Sequence, residues 1–287
     1  MKRLLAACLL ALALLFAACG SPVDKEYADW TVTVRGDGVE GEQTYTLAEL
    51  AALPEARFAA VYSVINNWPT VTSYAAEGVK LAAILERAGV ADTAQTITVG
   101  SEDGYRASFT RQQLLEAEQF SYPNCGENGE GAEPVEPIIA YNWKQGGTEV
   151  ADAKPDAPCL VLGQTDYLQH NNPVFVEGVT YIEVSDEAEQ WPPPFLWPEQ
   201  AAYHVGDKIK LQHDAYSNVK IYYTLDGSEP DVYSAMYNPS TYQPELNMPI
   251  EVTGDMTVRA FASGYGRADS PVAEFRIEVE EIGRAHV

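Results

Sequence analysis

Cations and sulfur are what this chain has least of. Its 287 residues include 18 Lys and Arg against 42 Asp and Glu, a formal net charge of −24, with only four cysteines and four histidines. So acidic a surface repels nucleic acid and anionic lipid headgroups, which excludes nucleic-acid binding. The few Cys and His residues show no zinc-type spacing. The apolar run Leu4–Ala18 is too short to favour a membrane-spanning helix. No internal repeat stands out. What is present is ordinary: 46% hydrophobic residues, enough to build cores in a chain long enough for two domains.

The N-terminus reads as a leader. Met1-Lys2-Arg3 gives a basic start, and the apolar run leads through small residues into Cys19-Gly20. Phe16-Ala17-Ala18-Cys19 resembles a bacterial lipobox, whose cysteine becomes the lipidated N-terminus, and Ser21-Pro22-Val23-Asp24 follows as a polar tether. Residues 1–18 are expected to be a lipoprotein signal peptide, 19–29 a tether and Cys19 the lipidation site, an ordinary signal peptide being the alternative. The protein would then sit outside the cytoplasm, lipid-anchored to the bacterial cell membrane rather than spanning it. Maturation would leave 16 basic residues against 42 acidic ones, a net charge of about −26. It would also leave Cys125 and Cys159 as the remaining thiols. Outside the cytoplasm such a pair favours a disulfide over metal binding or catalysis, so a bridge between Cys125 and Cys159 is expected. At the other end, EIGRAHV (281–287) reads as a translated sequencing-adapter string, and the natural protein is expected to continue past it.

Between these ends the pattern changes once. Trp30–Arg35 alternates like a strand, and Thr46 with Glu49 makes a capping box for a short helix at 47–53, stopped by Pro54. Arg57–Ile65 is strand-like. Leu81, Ile84, Leu85 and Ala88 share one helical face, so 80–88 is predicted as a helix ended by Gly89. TITVGSEDGYRASF reads as a hairpin turning at Glu102-Asp103-Gly104, with a second short helix at 112–118 capped by Thr110 and Gln113. Residues 121–136 are rich in Gly, Pro and acid without the ordered alternation of a calcium loop, and read as a solvated insertion. Strands follow at 137–141, 159–162 and 174–184. A run with Trp191, Trp197 and four prolines reads as a stiff linker over 187–200, its aromatics expected to rest on a neighbouring domain. From 201 to 280 the pattern is all-β, with turns at Asp226-Gly227, Thr253-Gly254-Asp255 and Ser263-Gly264.

Two stretches carry family resemblances. EGVKLAAILERAGV (77–90), ITVGSEDGYRASFT (97–110), PCLVLGQ (158–164) and VTYIEV (179–184) occur in an order similar to that of the molybdopterin-binding domain of the sulfite oxidase superfamily, over 30–186. The resemblance implies an α+β fold. It also implies a cysteine thiolate, in the loop entering the 77–90 motif, as ligand to molybdenum beside the pterin, where soft sulfur suits the metal. The corresponding stretch, Tyr62-Ser63-Val64-Ile65-Asn66-Asn67-Trp68, holds no cysteine, and the oxygen of Ser63 is a poor substitute. A phosphorylated cofactor and anionic substrates would also need cations, for which Arg57, Lys80, Arg87, Arg106, Arg111, Lys144 and Lys154 are the candidates. His170 could act in acid–base chemistry or ligation, or simply hold its loop.

The second stretch, IYYTLDGSEPDVYSAMYNPS (221–240) followed by TVRAFASGYGRADSPVAEFRIEV (257–279), resembles the chitobiase/hexosaminidase C-terminal domain, which implies an all-β immunoglobulin-like sandwich acting as an accessory module. A glycosidase would need a domain with paired catalytic carboxylates, and none is visible. Three readings stand. The first is a surface lipoprotein whose molybdopterin-domain scaffold is non-catalytic, without cofactor or metal, and binds a ligand or protein partner. The second is a molybdopterin-dependent oxidoreductase. The third is a carbohydrate- or cell-wall-binding adhesin whose partner is a surface glycan. Any pocket of the first unit is expected at Tyr62, Ser63, Asn66, Asn67 and Trp68, with Tyr105, Arg106 and His170 opposite.

Overall fold

The computed structural model describes residues 22–66, 70–240 and 244–280. The leader with Cys8 and Cys19, the loop residues Asn67 and Trp68, and the 281–287 tail lie outside the described residues. The chain divides after Asp186 into two compact units, the second also taking in Ser108–Thr110.

The first unit is built on two five-stranded sheets. One contains β1 (Thr31–Gly36) and β2 (Gln43–Thr46); the other begins with β3 (Arg57–Ile65) and β4 (Val71–Lys80). After them come β5 (Thr96–Ser101), β6 (Arg106–Thr110), β7 (Gln119–Ser121), β8 (Glu133–Val135), β9 (Ile138–Gln145), β10 (Lys154–Val161), β11 (Val176–Glu177) and β12 (Val179–Ser185). The sheets run β2-β1-β12-β5-β6 and β11-β10-β9-β4-β3, and β7 with β8 forms a separate ribbon. Strand β1 pairs in parallel with β12 near the far end of the unit, from Thr33 opposite Tyr181 to Gly36 opposite Val184.

Helix is scarcer than the sequence patterns suggest, so the α+β expectation gives way to a mostly β architecture. Helix α1 spans only Leu47–Leu50, with the predicted capping box present: Thr46 Oγ1 accepts the Glu49 N–H at 3.2 Å and Glu49 Oε2 accepts the Thr46 N–H at 2.9 Å. A 3₁₀ turn begins at Pro54 and stops it. Helix α2 (Leu81–Arg87) buries Leu81, Ile84 and Leu85, and Gly89 ends it at φ +69°. The expected helix at 112–118 shrinks to a π-type turn over Gln112–Glu116, whose N-cap, Arg111, makes no side-chain cap bond.

Strand β4 is absent from the sequence reading. It follows β3 directly, pairs with it in nine antiparallel positions from Arg57↔Val79 to Ile65↔Val71, and is flanked on its other side by β9. Where the two strands end, Asn66 N–H bonds Thr70 O at 3.2 Å and Thr70 N–H bonds Asn66 Oδ1 at 2.9 Å. Gly78, in the middle of the EGVKL motif, sits where β4 and β9 slip register, and a Cβ there would meet Ile139 O at 2.3 Å.

The second unit holds β13 (Phe195–Trp197), β14 (Lys208–Gln212), β15 (Lys220–Thr224), β16 (Ala235–Tyr237), β17 (Ile250–Glu251), β18 (Met256–Ser263) and β19 (Ala273–Ile277). They form a three-stranded sheet, β13-β14-β17, and a four-stranded one, β16-β15-β18-β19. Ile209, Leu211 and Ile250 of the first meet Ile221, Val258, Ala260 and Ile277 of the second in one core. The stretch expected as a free linker belongs to this unit. Strand β13 pairs with β14, and Trp191 is buried, its Nε1 donating to Gly264 O at 3.1 Å and its ring lying edge-on to His213. A proline-rich run with bulky apolar side chains can gain more from burial than from standing free in water.

Candidate functional site

Three chain segments meet at the C-terminal end of β3. Successive residues of a strand face opposite sides of its sheet. Accordingly Tyr62 turns into the core, fully buried with its hydroxyl donating to Glu136 O at 2.6 Å, while Ser63 turns toward the segments after β7 and after β10. The Ser63 hydroxyl donates to Gln164 Oε1 at 2.5 Å and accepts the Tyr122 N–H at 2.8 Å; its own N–H donates to Ser121 Oγ at 3.0 Å. Gln164, wholly buried, donates from Nε2 to Gln169 O at 2.7 Å.

Asn171 completes the arrangement. It is 0% exposed, its Oδ1 accepts the Ile65 N–H at 3.1 Å, and its Nδ2 faces the carbonyls of Ser63 at 3.1 Å and Leu162 at 3.2 Å. The side chain therefore ties the ends of β3 and β10 together. Beside it, Ile65, Tyr122 and Cys125 form a small apolar cluster with Phe120 and Tyr167 against it.

The expected disulfide does not form: both cysteines are free. Cys125 Sγ lies 3.3 Å from Gln164 Oε1 and 3.6 Å from Tyr167 O, whereas Cys159 stands inside β10 opposite Ala140 and Glu177, its thiol at Leu160 O. The two thiols are committed to different neighbours. Burial pushes the Cys125 thiol up from its ordinary pKa, with hydrogen bonds to Gln164 and Ser63 pulling the other way, and burial pushes Cys159 up much further. Metals are bound by thiolates, so thiols held protonated are poor ligands.

The remaining predicted site residues scatter. Tyr62 is buried in the core at 0% exposure. Asn66 bonds Thr70 where β3 and β4 end. Tyr105 is half-exposed, its hydroxyl donating to Pro173 O at 2.6 Å, and so leans on the turn after His170; Arg106 is exposed on β6. His170 lies half-buried between Gln169 and Asn171. Its neighbour in sequence, Asn171, was passed over, although the polar run QTDYLQHNN directly after a buried strand was the available signal. Among the described residues no group of three or more His, Cys, Asp or Glu side chains is placed to share a metal ion.

Residues 19–128 match the family model of the oxidoreductase molybdopterin binding domain, and residues 198–274 match that of the chitobiase/beta-hexosaminidase C-terminal domain. The two domains thus occur in the order the motifs imply. Among solved structures, the sulfane dehydrogenase SoxCD from Paracoccus pantotrophus is similar at 11% identity and a TM-score of 0.37, covering 89% of this chain and 77% of that one. No curated protein matches the chain.

The residues around Ser63 do not fit a molybdenum–pterin group. The oxygen at the implied ligand position is already saturated by a donor and an acceptor of this chain, and burial raises the pKa of the neighbouring Cys125 thiol, which disfavours the thiolate a metal would need. Three of the seven cations considered for the cofactor phosphate are engaged elsewhere. Arg87 lies over the Tyr45 ring and donates to Glu49 O, Arg111 pairs with Asp92 and Glu116, and Lys154 donates to Ala151 O.

Proposed function

We propose that this is a lipid-anchored extracytoplasmic protein whose first unit is a molybdopterin-domain scaffold turned to binding rather than redox catalysis, held to the membrane through Cys19. One observation carries the reading: Ser63 occupies the implied ligand position, 6% exposed, with its hydroxyl bonded on both sides by the protein itself. A domain can keep its fold after losing the group that does its chemistry, and fold without site licenses no activity. The competing reading is a molybdopterin-dependent oxidoreductase. Protein purified from a host that makes molybdenum cofactor separates the two: elemental mass spectrometry is expected to find no stoichiometric molybdenum, and one metal per chain would return the protein to the oxidoreductases.

A second reading rests on the second unit. Phe195 and Trp197 alternate on β13 with 43% and 58% exposure, facing the side away from buried Leu211. Opposite them on β14 stand Gln212 and Lys210. Flat aromatic faces beside hydrogen-bonding side chains suit a sugar chain, which stacks its C–H faces on rings and offers hydroxyls at its edges. Tyr216 and Tyr233 add exposed rings in the same unit. Pull-down of the full chain on insoluble cell-wall polysaccharide is expected to weaken by about tenfold or more in Trp197→Ala, the usual effect of deleting an aromatic anchor. Equal retention of variant and wild type removes this reading.

A further inference from the structure

Resting on the reading that the first unit holds no molybdenum, we propose that position 63 is sealed by a lock of Ser63, Gln164, Tyr122 and Cys125, and that a cysteine restored there would bond to Cys125 instead of a metal. The argument starts from one oxygen. Gln164 Oε1 accepts from Ser63 Oγ at 2.5 Å and faces Cys125 Sγ at 3.3 Å, so the two side chains converge on a single acceptor. Residue 63 and residue 125 are thus side-chain neighbours inside the same closed volume.

The seal has three layers, each of a different kind. Backbone closes one side, where the Tyr122 N–H is bonded to Ser63 Oγ. Side-chain amide closes the second, since Gln164 is 0% exposed and its other end is anchored on Gln169 O. Apolar packing closes the third, where Ile65, Tyr122 and Cys125 cluster with Phe120 and Tyr167. An incoming metal would have to break the first two bonds and displace the third layer.

Ser63→Cys changes one atom, putting a sulfur where the hydroxyl was; being larger, it moves Gln164 Oε1, which lies 2.5 Å from the serine oxygen, back from position 63. Two thiols then converge on the one Gln164 oxygen. With a small disulfide such as oxidised glutathione as oxidant, the S–S bond between positions 63 and 125 forms as the two thiols give up two electrons and two protons, and the reagent leaves as two glutathione thiols.

The test uses the full chain from a host that makes molybdenum cofactor, as wild type, Ser63→Cys, and Ser63→Cys with Cys125→Ser. When the chain is refolded from denaturant with oxidised glutathione present, so that the reagent reaches both thiols before the site closes, peptide mapping of the Ser63→Cys chain is expected to show the peptides of positions 63 and 125 joined, with loss of both free thiols; molybdenum should remain far below one per chain in all three. Both thiols still free in the folded single variant, or stoichiometric molybdenum in either variant with a metal-free wild type, overturns the lock while leaving the functional reading standing. Molybdenum in the wild type overturns that reading itself. Independently of any variant, Cys125 is expected to resist iodoacetamide in the native wild type and to react once the chain is unfolded. Fast native alkylation also overturns the lock.

Discussion

Replacing Asn171 with alanine is expected to destabilise the first unit by about 3–4 kcal/mol, because a single buried side chain serves several backbone groups and each orphaned one costs about 1–3 kcal/mol. The groups are identifiable: the Ile65 N–H loses its acceptor, and the Ser63 and Leu162 carbonyls lose their donor. Since Asn171 is wholly buried, water cannot replace what is removed without the strand ends separating. Urea unfolding monitored by tryptophan fluorescence measures the loss. A change under about 1 kcal/mol would mean that the site is wet and the seal loose.

Asn171→Asp sharpens the same test through pH. The new carboxyl can still accept from Ile65, but its second oxygen would face the two carbonyls that now accept from Nδ2. Burial and those carbonyls disfavour the charged form, so the folded pKa should rise above the unfolded value. A raised carboxyl pKa gives stability that is present below the unfolded pKa and lost as pH rises through the folded one. The aspartate variant is therefore expected to approach wild-type stability in mild acid and to lose it toward neutral pH, whereas the alanine variant should show no such added pH dependence. Parallel pH profiles for the two would place the carboxylate in solvent and contradict the burial of this position.

Gly78→Ala is expected to cost about 3 kcal/mol, at the upper end of what forced overpacking usually does. The added methyl would lie 2.3 Å from Ile139 O and 2.5 Å from Ala140 Cα, both backbone atoms that cannot swing aside as a side chain could. Relief requires β4 and β9 to part at the register slip between Glu77 and Gly78. Thermal unfolding should show a fall of several degrees, and the loss should reach the Ser63 site, because β3 hangs on the sheet through β4 alone. Unchanged stability would mean that the strands have more room than a backbone-to-backbone approach allows. The glycine of the EGVKL motif is accordingly explained by packing, with no role in cofactor contact needed.

What was legible in the sequence was whatever repeats locally. Strand β3, the β5–β6 hairpin, the α2 face of Leu81, Ile84 and Leu85, and β14, β15, β17, β18 and β19 of the second unit were legible from local pattern, whereas β13 and β16 were not, and the two domain resemblances rest largely on the same stretches. Strand β4 carried no such signal. Flanked by β3 and β9, its VTSYAAEGVK has consecutive buried residues instead of alternation, and Ala, Glu and Gly have low strand propensity. That residues 62–68 hold no cysteine could likewise be read directly.

Tertiary structure alone decided what surrounds Ser63. The partners of Ser63 lie 59 residues away at Tyr122 and 101 away at Gln164, and Asn171 reaches back 108 residues to the Ser63 carbonyl. The same holds for the thiols, which the sequence presents as a natural pair and the fold assigns to different neighbours. Local pattern determines which residues form strands, since backbone geometry is a near-neighbour property. Which buried polar groups satisfy one another depends on how distant strand ends are brought together, because inside a core each donor must find its acceptor among whatever the fold delivers there.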